Sequence, residues 1–105
     1  MSQLQAALDD RLRVTSAVDR LINIALRDTG QSRRCANFLL AWWNAADNGG
    51  FDLTDLWNVD SEIATDMVTV FTWVSTHRYY VDHISRDYSS RMEEIWKRWN
   101  KVVGA

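Results

Sequence analysis

The chain has 105 residues, 47% hydrophobic and 25% charged, with six tryptophans and a net charge of −2. That composition fits one domain with a real core and argues against a disordered chain; no apolar run approaches the roughly 20 residues that span a bilayer. A lone cysteine permits no internal disulfide, and four glycines with no proline leave too few turn residues for an all-β domain.

In chain order, Leu4, Leu8, Leu12, Val14, Val18, Leu21, Ile22 and Ala25 recur at intervals of three and four. They predict a first helix over about residues 4–27, cleanest from Ser16 onward and ended by Asp28-Thr29-Gly30. Ser32 is the expected N-cap of a second helix reaching about residue 47. Its stripe is wide, with Cys35, Phe38, Leu39, Trp42 and Ala46 on one line and Ala36, Leu40 and Trp43 beside it. Such width predicts the central, most buried helix. Asn48-Gly49-Gly50 then supplies a stop.

Asp52 is expected to cap a single helical turn over residues 53–57, with Phe51, Leu53, Leu56 and Trp57 turned inward. Asp60 or Ser61 opens a third helix to about residue 76, buried through Ile63, Met67, Val70, Phe71 and Val74, with Trp73 outside. The last helix starts between Asp82 and Ser90. Ser90 and Glu93 fit a capping box, yet Ile84, Tyr88, Met92, Ile95, Trp96, Trp99 and Val102 keep one stripe through that point. Gly104 ends it near residue 103. The expected architecture is all-α: a single helical domain over residues 1–105, four main helices plus a short turn at 53–57.

Charge is distributed unevenly. Residues 1–34 hold six arginines against four aspartates, and residues 77–105 six basic against four acidic residues, a balance of +2 at each end. Residues 35–76 hold no lysine or arginine and six acids: Asp47, Asp52, Asp55, Asp60, Glu62 and Asp66. Capping and first-turn preferences account for Asp52, Asp60 and Glu62. The alternative is an acidic docking face of Asp47, Asp52, Asp55, Glu62 and Asp66 that attracts a basic protein partner and repels nucleic acid. Trp43, Trp73, Tyr79 and Tyr80 fall off the main stripes, and read either as a second core layer or as an aromatic interface, a homodimer included.

No metal or catalytic set emerges. An EF-hand loop counted from Asp47 fails at its third, fifth, sixth and twelfth positions, which are Gly49, Phe51, Asp52 and Asn58. Cys35 lies on an apolar stripe, His77 near a helix end and His83 at a helix start, so no nucleophile and base are paired. No enzyme, cofactor or metal is expected. A helix-turn-helix around Asp28 to Arg34 would need a polar recognition helix, and residues 36–46 are too apolar, although Arg33, Arg34, Asn37, Lys97 and Lys101 suit phosphates. No signal-peptide pattern opens the chain, so a cytoplasmic protein without a membrane segment is expected.

The strings RRCANFLLAWWNA at residues 33–45 and NGGFDLTDLW at 48–57 resemble a small bacterial family of unknown function, found often on plasmids and integrative conjugative elements. The resemblance spans residues 17–83 and implies no activity or site residue. It implies a setting in which accessory proteins act by binding, including as anti-CRISPR inhibitors of host defence. The expected function is therefore a non-catalytic protein-binding inhibitor, with a nucleic-acid-binding regulator second and an unrecognised enzyme third.

Overall fold

The computed structural model describes residues 3–99. Four α-helices carry the fold: α1 (Gln3–Ala25), α2 (Gly30–Asn48), α3 (Ser61–Thr76) and α4 (Arg86–Trp99). Short 3₁₀ turns, Leu53–Asn58 and Val81–His83, join the last three, and no strand occurs among the described residues. The all-α expectation and the turn after Asp52 hold. The predicted end of the last helix, with Val102 and Gly104, lies outside the described residues.

The central helix is α1, not α2. It packs against α2, α3 and α4, whereas α2 and α3 have no extensive contact with each other. α2 packs against α1, α4 and the turn at Val81–His83. One contiguous core results, with Val18, Leu21, Leu39, Met67, Val70, Met92 and Ile95 fully buried.

Two observations explain why α1 holds the centre. Tyr88 on α4 donates from its hydroxyl to Asp19 Oδ1 at 2.7 Å. Arg20, the next residue on α1, grips Asp66 of α3 bidentately, Nε to Oδ2 at 2.8 Å and Nη2 to Oδ1 at 2.9 Å. Both bonds lock neighbours onto one turn of α1, and bidentate geometry fixes orientation as well as distance.

The predicted stripe of α3 holds at Ile63, Met67 and Val70, and Val74 is partly buried, but its edge is shifted at Phe71 and Trp73. Asp66 accompanies that shift. It is turned toward α1 by its pairing with Arg20, and Trp73, two turns on, lies inward as well. Trp73 is 5% exposed and Phe71 65% exposed, the opposite of expectation.

Helix ends differ in detail. The α2 cap is Thr29, whose Oγ1 accepts from Ser32 N at 3.0 Å; Ser32 itself is buried one turn inside, its hydroxyl 2.8 Å from that same oxygen. Gly49 stops α2 with a φ of 86°, the left-handed region that a side chain resists. Asp60 stands at the α3 cap without a capping bond from its side chain. It is clasped by Gln31, whose Oε1 accepts from Asp60 N at 2.6 Å, so the starts of α2 and α3 are tied together. Ser90 lies inside α4, donating to the Asp87 carbonyl at 3.0 Å, because the helix already begins at Arg86. The predicted plugs Leu53 and Trp57 are exposed, while Phe51 and Leu56 are half-buried.

Candidate functional site

Because α2 and α3 diverge from α1 without meeting, an apolar groove of about 450 Å³ opens between them. Met67 and Val70 form its buried base, Phe38 and Trp42 line it from α2, and Phe51, Leu53 and Leu56 close one end. Phe38 and Phe51 meet edge to face at 5.2 Å and 84°, which orients both rings. The Trp42 indole Nε1 donates to the Tyr79 carbonyl at 3.0 Å, pinning the loop after α3 beside this groove. Val68 and Phe71 stand exposed along the α3 side.

The five acidic candidates are not gathered into one contact set. Asp66 is buried in its Arg20 pair. Its guanidinium partner is held above the usual arginine range, first by the hydrogen bond with Asp66 and then by its charge. Asp52 caps the turn, accepting from Thr54 N at 2.9 Å and Thr54 Oγ1 at 2.7 Å. Those two bonds hold its carboxyl below the ordinary aspartate value. Asp55 lies 3.7 Å from Arg34 Nε. Glu62 is exposed and lines a cleft with Arg20, Asp60 and Asp66. Asp47 lines a different cleft and is bound at 2.8 Å by Asn44 Nδ2.

Asp47 is the partner of a cap that the sequence does not declare. Asn44 leaves helical geometry, with φ −164° and ψ 89°, and its Oδ1 accepts from Asp47 N at 3.2 Å. The last turn of α2 thus restarts with Asn44 as its own N-cap. Trp43 and Asp47 are brought together here, in a cleft of about 710 Å³ that also receives Glu93, Trp96 and Lys97 from α4.

The aromatic candidates divide three ways. Trp43 belongs to that cleft. Trp73 is a core residue, stacked on His77 at 4.3 Å and on Tyr79 at 5.8 Å. Tyr80 is exposed and meets His83 edge to face at 5.8 Å. Trp73 and Tyr79 share a stack, but the four do not form one patch.

Other chemistry is constrained by burial. Cys35 is fully buried, and desolvation first, then the charge of Asp66, push its thiol up to about 12, so it is not a thiolate at neutral pH. His77 Nδ1 lies 3.0 Å from the Trp73 carbonyl and 2.9 Å from Thr76 Oγ1. No group of three or more His, Cys, Asp or Glu among the described residues is arranged to hold a metal ion. No described helix is long and apolar enough to cross a membrane. Of the phosphate candidates, Arg34 is turned to Asp55, Lys97 sits beside Trp43, and Lys101 lies outside the described residues.

A family model matches residues 15–100. The chain belongs to the family of unknown function DUF7673. No curated protein and no solved structure matches it. For this DUF7673 chain the exposed pair Val68 and Phe71 is what sequence reasoning missed as a candidate site. A signal existed: between Asp66 and His77, α3 contains no charged residue at all. Read with the 3.6 period, both faces of that stretch are uncharged, so the side away from the core carries Val68 and Phe71 among threonines and a serine, with no charged residue.

Proposed function

We propose that this chain is a non-catalytic protein-binding protein that takes an apolar, base-flanked segment of its partner into the groove between α2 and α3. The observation that carries this reading is the open side of α3, uncharged from residue 67 to 76, with Val68 and Phe71 in solvent beside a preformed groove. Exposed apolar patches of this kind favour docking of another surface. A helix with apolar anchors at one-turn spacing is the segment shape that suits such a groove.

Charge narrows the partner. Every groove residue lies within residues 35–76, the segment with six acids and no base. Lysine or arginine beside the apolar anchors would be steered toward it. Arg20 and Arg34 offset Asp66 and Asp55, so the surrounding field in this reading comes from Asp47, Asp52, Asp60 and Glu62. The wider setting we propose is an accessory protein of a mobile genetic element, an inhibitor of host defence. Its support is the resemblance at residues 33–57 together with small size and the acidic segment.

The test is calorimetric titration with two synthetic helical peptides carrying leucines at i, i+4 and i+8, one flanked by lysines and one by glutamates. The lysine peptide should bind at least about tenfold tighter, a difference of about 1.4 kcal/mol that shrinks with added salt. Phe71→Glu should abolish binding. Equal affinity for the two peptides, or binding that survives Phe71→Glu, overturns the reading.

A further inference from the structure

The cleft between the last turns of α2 and the later turns of α4 shares no residue with the apolar groove. At about 710 Å³ it falls within the roughly 300–1,000 Å³ of clefts that take small groups. Its chemistry is different in kind: two indoles, Trp43 and Trp96, stand together with two carboxylates, Asp47 and Glu93.

Both helices prepare this set. Glu93, Trp96 and Lys97 stand at i, i+3 and i+4, which puts them on one side of α4. By sequence Trp96 continues the buried stripe, yet it is 37% exposed where Met92 and Ile95 are fully buried. On α2, Asn44 Nδ2 holds the Asp47 carboxylate at 2.8 Å, so that group is positioned before any ligand arrives. Asn48 uses its own Nδ2 on the Leu40 carbonyl at 3.3 Å and keeps Oδ1 as an acceptor.

Three features favour a cation here. The carboxylates of Asp47 and Glu93 outweigh the one ammonium, Lys97. Neither Glu93 nor Lys97 has an ion-pair partner among the described residues, so Lys97 does not neutralise the carboxylate one turn before it. The cleft also sits at the C-terminal end of α2, whose last turn holds no basic residue, and a helix C-terminus carries partial negative charge. Indole faces attract cations as well.

We infer that this cleft receives the guanidinium of an arginine on a partner protein, packed against the indoles with its N–H groups turned to Asp47 and Glu93. Arginine suits it better than lysine. A guanidinium is planar, weakly hydrated and able to fork onto carboxylates while it stacks on a ring, whereas an ammonium keeps its water. The site stands on its own residues and does not rest on the groove between α2 and α3.

Titration of the full chain with a capped Gly-Arg-Gly peptide tests it, followed through the indole N–H signals of Trp43 and Trp96 by nuclear magnetic resonance. Both signals should move saturably. The peptide with lysine should bind at least about threefold more weakly, and the one with citrulline, which keeps the shape without the charge, about tenfold. Asp47→Asn, which leaves an oxygen for Asn44, and Glu93→Gln should each weaken arginine binding about threefold. Lys97→Gln should tighten it about twofold, because it removes the like charge. Phe71→Glu, placed in the groove, should leave this titration unchanged, so the two sites fail separately. Indole signals that do not move, equal binding of the lysine or citrulline peptide, or weaker binding by Lys97→Gln overturns the inference. So do Asp47→Asn and Glu93→Gln variants that bind as the wild type does.

Discussion

The two halves of α1 share one periodicity and meet opposite fates. From Val14 to Ala25 the residues Val14, Ala17, Val18, Leu21, Ile22 and Ala25 are fully buried, whereas Leu4, Leu8 and Leu12 stand in solvent. The difference lies in the neighbours, not the helix. Asp19 and Arg20 are clasped by Tyr88 and Asp66, and these bonds draw α4 and α3 over the C-terminal half. Nothing among the described residues is drawn over Leu4 in the same way. A hydrophobic stripe states which side of a helix avoids water, and the tertiary fold decides how far along its length that side is met.

Substitutions on the two halves measure how sharp this contrast is. Leu21→Ala should cost about 2–5 kcal/mol in denaturant unfolding, because it opens a cavity where no side chain can follow. Asp66→Ala should cost less, about 1–3 kcal/mol, since it removes a charge-assisted pair whose Arg20 partner is 58% exposed and returns to water. Fluorescence of Trp73 should shift in the same variant, because Asp66 lies two turns from that indole on the same side of α3. An unchanged emission spectrum would mean that packing alone orients α3.

The third effect shows only in alkali. Burial raises the Cys35 thiol from 9.0 to about 12, so the unfolded chain loses that proton first. Stability contributed by the neutral thiol is complete below about pH 9 and lost as pH rises toward the folded value. Tyr88 acts in the same direction, raised by burial first and then by its bond to Asp19. Thermal midpoints between about pH 8 and 11 should therefore fall, and less steeply for Cys35→Ala. The smallest effect belongs to the projecting half. Leu8→Ala should change unfolding of the monomer by less than about 0.5 kcal/mol. A loss matching that of Leu21→Ala would erase the contrast between the halves.

Legibility followed the range of the interaction involved. The helices, the Asp52 cap and the Gly49 stop depend on residues a few positions apart, and each was readable. The local partners of the acidic residues were not legible, because position in the chain does not reveal them: Arg20 is 46 residues from Asp66. The bond between Asp47 and Asn44 is not legible either, because Asn44 caps only once α2 departs from helical geometry there. The exchange of Trp73 and Phe71 accompanies the long-range pairing of Asp66 with Arg20.

By itself the sequence determined an all-α chain, its helix count, and the concentration of negative charge between residues 35 and 76, all consequences of local propensity, periodicity and composition. Only the tertiary structure decided that α1 is central, that α2 and α3 diverge into a groove, and that Phe71 and the first leucines of α1 remain uncovered. Which side of a helix is apolar is written in its period. Which apolar residues find a neighbour depends on where other helices lie, and a half-exposed ion pair between Arg20 and Asp66 accompanies the exchange of Phe71 and Trp73.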